Sequence, residues 1–220
     1  MTKSARAETF PALGALPGVV HAFTLRMPGV DVKVDREEAL RRLDTVHADV
    51  RRELGLDPRL FVTARQVHGK EVAVVDSSTR ECVPDVDGLI TADPGVCLGI
   101  YVADCCAVYL VDPRRRVAAL LHAGRKGAEQ GIAPAAVERM QAEFGCDPAD
   151  LVAQLSPCIR PPHFETDFAA LIVSQLQQAG VREIHDSGIC TASHPERYYS
   201  YRRELGRTGR MLALLALPQS

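Results

Sequence analysis

The chain has 220 residues, 46% apolar and 25% charged, the balance of an ordinary folded domain and not of a disordered one. No run of ~18 apolar residues offers a transmembrane helix. A net charge of −2 with both signs mixed speaks against nucleic-acid binding or a polybasic membrane patch.

The opening MTKSARAETF lacks the apolar stretch of a signal peptide, so a cytoplasmic location is expected. The length suits one domain over 1–220, burying roughly 70% of its unfolded surface. Residues 19–25 (VVHAFTL) read as a strand. Asp35 with Glu38 three residues on forms a capping box, and Leu40, Leu43, Val46, Val50 and Leu54 follow at helical spacing. Gly55 and Pro58 end that helix. Leu60–Thr63 and Val72–Asp76 read as strands on either side of QVHG. The centre is densely β: Leu89–Thr91, Val96–Val102, Ala107–Val111 and Val117–Leu121, the last two joined by a Pro-Arg-Arg-Arg turn that reads as solvated. HAGRKG leads into a helix over about 128–144, closed by Gly145, with Pro134 placing its regular part near there. A strand at Leu151–Leu155 and a helix from about Asp167 to Ala179 follow. Arg210–Leu217 is a last apolar run, either strand or buried helix. Hairpins mixed with strand–helix units predict an α+β fold with mixed sheets.

Seven cysteines, an odd number in a chain expected inside the cell, make a disulfide framework a poor reading. Seven histidines occur with no HxH, HxxxH or HExxH, and there is no CxxC, so short metal signatures are missing. Any metal site must be assembled from distant segments. Cys105 and Cys106 are adjacent, so at most one of them can face a given pocket.

Four segments place reactive side chains where a strand ends: Gln66–Gly69, Ala103–Cys106, His122–Gly124 and Ser156–Ile159. Each alone is weak, since a lone histidine or buried cysteine there is usually structural. As a set they are stronger. One thiolate and two imidazoles would supply three zinc ligands and leave a fourth position open, the catalytic pattern. Asp104, beside Cys105, is placed to orient a ligand. The glycines of HAGRKG let backbone N–H groups approach an anion at a helix start, where Lys126 adds charge.

The landmarks QVHG (66–69), DGLIT (87–91), ADCC (103–106), HAGRKG (122–127), SPCI (156–159) and YSYRRELGRTGRM (199–211) together resemble the YfiH-like family. That family was long labelled multicopper polyphenol oxidase, or laccase. Several of its members are regarded as purine nucleoside phosphorylases with adenosine deaminase activity. The resemblance covers nearly the whole chain. It implies a four-layer α/β/β/α sandwich shared with bacterial toxin deamidases. It implies His68, Cys105 and His122 as metal ligands, with zinc the usual ion. It also implies adenosine-, inosine- or guanosine-type nucleosides as substrates.

The chain departs from the family pattern at several points. Members typically read HAGWRG, whereas Arg125 and Lys126 stand here in place of the tryptophan and arginine. Lysine keeps the charge but loses the bidentate fork, which bears on phosphate affinity and substrate choice. Ala107 replaces a usual proline, Ser156-Pro157 a Gly-Pro pair, and His163-Phe164 a Cys-Tyr pair.

Three functions follow as expectations. The first is a zinc-dependent enzyme on purine nucleosides. Phosphorolysis would draw on Lys126, Arg125 and Arg202 for phosphate, with Gln66 and Arg65 lining the pocket. Deamination would take an activated water to C6 of adenine, with Asp104 as proton shuttle. The bland reading of Arg202 and Arg203 is a solvated or salt-bridged pair, and of Glu165 and Asp167 a helix cap. The second function is a hydrolase with Cys105 as nucleophile and His122 as base, acting on an amide such as a peptidoglycan precursor. The third is an inactive metal-binding member, favoured by the altered HAGRKG. Laccase chemistry is not expected without HxH pairs, and copper is expected only as an opportunistic occupant. Partners are small molecules, with no nucleic acid and no membrane.

Overall fold

The central strands are buried on both faces, and successive residues pack on opposite sides with period two, which builds the architecture. A computed structural model describes residues 6–80 and 82–218. In chain order the elements begin β1 (Ala7–Glu8), α1 (Pro11–Gly14), β2 (Val20–Thr24), α2 (Arg36–Glu53), β3 (Phe61–Ala64), β4 (Val72–Val74). The central part is β5 (Cys82–Val83), β6 (Gly88–Thr91), β7 (Cys97–Val102), β8 (Cys106–Asp112) and β9 (Val117–Ala123). Then come α3 (Arg125–Glu129), α4 (Ile132–Phe144), β10 (Val152–Leu155), α5 (Phe168–Gln178), β11 (Glu183–Asp186) and β12 (Met211–Ala216).

The strands form two six-stranded mixed sheets, in the orders β1-β2-β12-β7-β3-β5 and β11-β10-β8-β9-β6-β4. Between the sheets lie Phe23, Leu98, Ile100, Ala213 and Leu215 of the first and Ala107, Tyr109, Val111, Ala118 and Leu120 of the second. The alternate residues of β8 and β9, such as Val108, Leu110, Ala119 and Leu121, pack under α4 and α5. On the far side Ala22, Leu212 and Leu214 of the first sheet meet Val50 of α2. The order of layers is therefore helix, sheet, sheet, helix, an α+β sandwich with mixed sheets. No helix among the described residues is long and apolar enough to cross a membrane.

Most elements lie where the sequence places them. Asp35 caps α2, its carboxylate accepting from Glu38 N at 3.0 Å. Asp167 caps α5 in the same way, accepting from Ala170 N at 3.0 Å. The last apolar run is the strand β12, bonded on both sides by β2 and β7. One expected helix is divided. Instead of a helix from about 128 there is a short turn of helix, α3, starting at Arg125, and a second start at Ile132. Gly131, with φ of +80°, breaks the two, and Pro134 falls within the first turn of α4, where a missing N–H costs nothing.

Candidate metal centre

His68 lies on the β3–β4 connection and Cys105 on the β7–β8 connection, and each of these connections crosses from one sheet to the other. His122 lies near the end of β9, on the side of that strand that points between the sheets. Each offers one ligand atom, and these atoms all lie within 4.8 Å of one another. The imidazole rings of His68 and His122 meet edge to face, with centroids 4.7 Å apart. Burial grades across the set: His68 is exposed, Cys105 half-buried and His122 buried.

Asp87 holds this arrangement. It precedes β6 and is fully buried. Its Oδ1 accepts from His68 N at 2.9 Å and lies 2.7 Å from His122 Nδ1. Its Oδ2 accepts from Val67 N at 3.1 Å and Gly69 N at 2.7 Å. Three consecutive backbone N–H groups thus converge on one carboxylate, which holds His68 in a left-handed conformation at φ of +64°. A proton on His122 Nδ1 is fixed by the same carboxylate, leaving Nε2 as the ligand atom. Burial works to raise the Asp87 carboxyl, but the hydrogen bonds from His122 and Gly69 hold it below its usual range. Sequence reasoning gave Asp87 no role, although it opens the landmark DGLIT.

The charges within the cluster are coupled. Burial opposes ionisation of Cys105, yet the charge of His122 and the hydrogen bonds of both histidines bring the thiol down to about 6. Burial likewise opposes the charged form of His122, but the Cys105 thiolate and the Asp87 carboxylate raise it to about 9. The site therefore favours a thiolate beside a charged imidazole, the state that a cation would replace. Two imidazole nitrogens and one thiolate are a donor set that fits a borderline-soft divalent metal.

The glycines of HAGRKG serve close packing. A Cβ on Gly124 would stand 2.7 Å from Cys105 Sγ and 3.5 Å from His68 Cδ2. One on Gly127 would stand 3.0 Å from Gly69 O. The segment is pressed against the cluster, and only a hydrogen fits there.

The cluster borders a cavity of about 790 Å³. Gln66, Asp104, Arg125 and Arg202 also line it, together with Tyr101, Phe164, Tyr201 and two arginines that sequence reasoning missed, Arg36 and Arg210. Lys126 is exposed and is not among the lining residues. Arg65 is exposed and pairs with Asp85 at 3.0 Å. The Gln66 amide is spent on the backbone of Tyr101, accepting from its N at 3.0 Å and donating to its O at 2.7 Å. Asp104, at φ of +81°, accepts from Thr191 Oγ1 at 2.7 Å, Ser200 Oγ at 3.0 Å and Arg202 N at 2.7 Å. Its carboxylate anchors the 198–207 loop to the β7–β8 crossing. Glu165 does not cap α5; it bridges Arg125 and Arg202, each at 3.2 Å.

A two-sheet sandwich with a His–Cys–His cluster where the chain crosses between sheets defines the class. Residues 29–168 and 162–218 match the family model for multi-copper polyphenol oxidoreductase laccase. The chain belongs to this family, the YfiH-like proteins. It is 38% identical over 187 residues to a purine nucleoside phosphorylase of Streptomyces coelicolor, covering 73% of this chain and 76% of that one. A purine nucleoside phosphorylase of Deinococcus radiodurans is 31% identical over 234 aligned positions, covering 91% and 90%. The crystal structure of YlmD from Geobacillus stearothermophilus superposes with a TM-score of 0.85 at 26% identity, covering 99% of this chain and 98% of that one. That of YfiH from Bacillus licheniformis gives 0.81 at 25% identity, covering 90% and 92%.

Proposed function

We propose that the chain is a zinc-dependent purine nucleoside phosphorylase, accepting adenosine-, inosine- or guanosine-type nucleosides. The observation that carries this reading is the His68–Cys105–His122 cluster at the edge of a cavity of about 790 Å³, a size suited to a nucleoside. The names of its relatives support the reaction class. His68, Cys105 and His122 would hold the zinc, which when bound would supply Lewis-acid polarisation of an oxygen. Asp87 fixes the orientation of the His122 imidazole and holds the backbone that carries His68. Tyr101, Phe164 and Tyr201 line the cavity and would offer aromatic surface to a purine. Asp104 has each carboxylate oxygen engaged, so a shuttling role in deamination would require it to release Thr191 or Ser200.

The test is direct. Metal-replete protein is incubated with inosine, guanosine or adenosine, with and without phosphate, and products are separated by chromatography. Phosphate-dependent release of free base with formation of ribose 1-phosphate is expected, together with one zinc per chain by elemental analysis. Inosine appearing from adenosine would add deamination. No base release from any of the three would sink the phosphorylase reading.

The coupled Cys105–His122 pair favours one second reading, a thiol hydrolase acting on an amide. Alkylation of Cys105 separates the two readings. Protection by stoichiometric zinc supports the metal enzyme, whereas equal labelling with and without zinc supports the hydrolase.

A further inference from the structure

The arginines that line the cavity fall into two groups of different electrostatic character. Arg125 and Arg202 are answered: Glu165 bridges them, and Glu129 lies 3.7 Å from Arg125. Arg36 and Arg210 are not. Arg36 stands in the first turn of α2, and Arg210 immediately precedes β12. Neither forms an ion pair among the described residues. The nearby carboxylates of the lining are committed elsewhere, Asp35 to Glu38 N and Asp104 to its three donors.

Arg210 is the more telling of the two, being only 8% exposed. Its Nη1 donates to Thr208 O and Gly209 O, both at 2.9 Å, and its guanidinium lies 5.7 Å from the Tyr201 ring centroid. Those contacts hold the fork in place but supply no negative charge, and they leave Nε and Nη2 free. Burial, and next the charge of Arg36, weigh against the cation and outweigh the smaller favourable influence of Cys105, Tyr201 and Asp104. A largely buried guanidinium in no direct ion pair is stabilised by an oxyanion held by its two remaining N–H groups.

We propose that Arg36 and Arg210 form an oxyanion subsite for a phosphoryl group within the cavity. This rests on the phosphorylase reading in one respect, that inorganic phosphate is the co-substrate. In that reaction a phosphate oxygen bonds to C1′ of the ribose as the C1′–N9 bond breaks. The electron pair leaves with the purine, and the proton that hydrogen phosphate carried ends on the base. The two guanidinium groups hold the other phosphate oxygens throughout. The phosphate then does not depend on Lys126, which lies outside the lining, or on the already paired Arg125 and Arg202.

The experiment measures phosphate binding by calorimetry, apart from turnover, on the metal-replete protein and on Arg36→Ala, Arg210→Gln and Arg59→Ala. Arg36 and Arg59 are both exposed, and Arg59 serves as the matched loss of a surface charge. Loss of a charged hydrogen bond predicts that phosphate Kd rises about 10-fold in Arg36→Ala and up to about 100-fold in Arg210→Gln, with Arg59→Ala unchanged. Phosphate KM should rise in step, with nucleoside KM nearly constant. If Arg210→Gln does not fold, Arg36→Ala decides alone. Unchanged phosphate affinity in Arg36→Ala, or no phosphoryl compound bound by the parent at millimolar concentration, overturns the proposal. Binding of ribose 5-phosphate but not of inorganic phosphate, lost in Arg36→Ala, supports the subsite and assigns it to a substrate-borne phosphoryl group. Phosphate binding that depends on Arg36 without nucleoside cleavage supports the subsite while removing the phosphorylase reading.

Discussion

At the scale of single residues, Asp87 carries more of the site than any other side chain outside the cluster. Its two oxygens serve four donors, three of them backbone N–H groups that would otherwise be left unpaired around a left-handed His68. Asn in its place offers one carbonyl oxygen and an NH₂ that repels such donors. Asp87→Asn is expected to weaken zinc binding by about 10- to 100-fold, in line with loss of a carboxylate behind a ligating imidazole. Stability should fall by roughly 1–3 kcal/mol, the cost of buried donors left unmet. Competition against a chromophoric chelator reads the first, and an affinity equal to the parent's would refute the positioning role. Gly124 gives a second test, because its missing Cβ makes room for Cys105 Sγ at 2.7 Å. Gly124→Ala is expected to lose stoichiometric zinc in elemental analysis while keeping native secondary structure by circular dichroism. Full retention of zinc would show that the segment can retreat from the thiolate. The ligands themselves resemble those of a known family. Asp87 was opaque because its role depends on four donors from two separate segments.

At the scale of elements, legibility followed local signal. α2 was plain from its capping box and its helical repeat, and the β8–β9 pair from two apolar runs around a Pro-Arg-Arg-Arg turn. β1 and β5, of two residues each, are too short to leave a pattern, and α3 exists because Gly131 interrupts what reads as one helix. The 198–207 loop had no regular signature at all, yet it is tied down on two sides. Asp104 grips Ser200 and Arg202, and Glu204 reaches Arg26 at 2.6 Å, Ser200 N at 3.1 Å and Thr208 Oγ1 at 2.6 Å. Burial alone would raise the Glu204 carboxyl, but Thr208 and Arg26 hold it below its usual value. A depressed carboxyl stabilises the fold above its unfolded pKa, and that contribution is lost as pH falls through the folded one. Glu204→Gln is therefore expected to lower stability near neutral pH, by roughly 1–3 kcal/mol, and to differ less from the parent near pH ~3. Thermal melts at the two pH values check this. A penalty of equal size at both would mean that packing, and not the charge, accounts for the effect.

At the scale of the whole molecule, the site exists because the chain passes twice between sheets at the same place. Strand patterns reveal which residues alternate, not which sheet each strand joins, so strand ends alone offered a possible three-ligand set and resemblance supplied the choice of positions 68, 105 and 122. The interface between the sheets also governs how the molecule answers acid. His21 of β2 points into it, stacked on Phe10 with ring centroids 5.9 Å apart and edge-on to Tyr109 of the opposite sheet at 6.5 Å. Its Nε2 accepts from Phe10 N at 2.8 Å, a bond that needs that nitrogen unprotonated. Burial drives its pKa from 6.5 down to about 4, and burial also takes His47, on the inner face of α2, to about 3. Above the unfolded value neither state holds the proton, so these histidines leave stability independent of pH. Between the unfolded and folded values the unfolded chain binds a proton that the native state refuses, so stability must fall as the solution is acidified. For His21 the loss approaches about 3 kcal/mol before the native imidazole also titrates and the slope flattens. Urea unfolding from pH 7 down to pH ~4 should show this decline. His21→Gln, which keeps a side-chain oxygen to accept from Phe10 N, should be shallower by one proton across that window. An acid limb of unchanged slope in the variant would mean that His21 is not the group withholding the proton, and that the sheets tolerate charge at their interface.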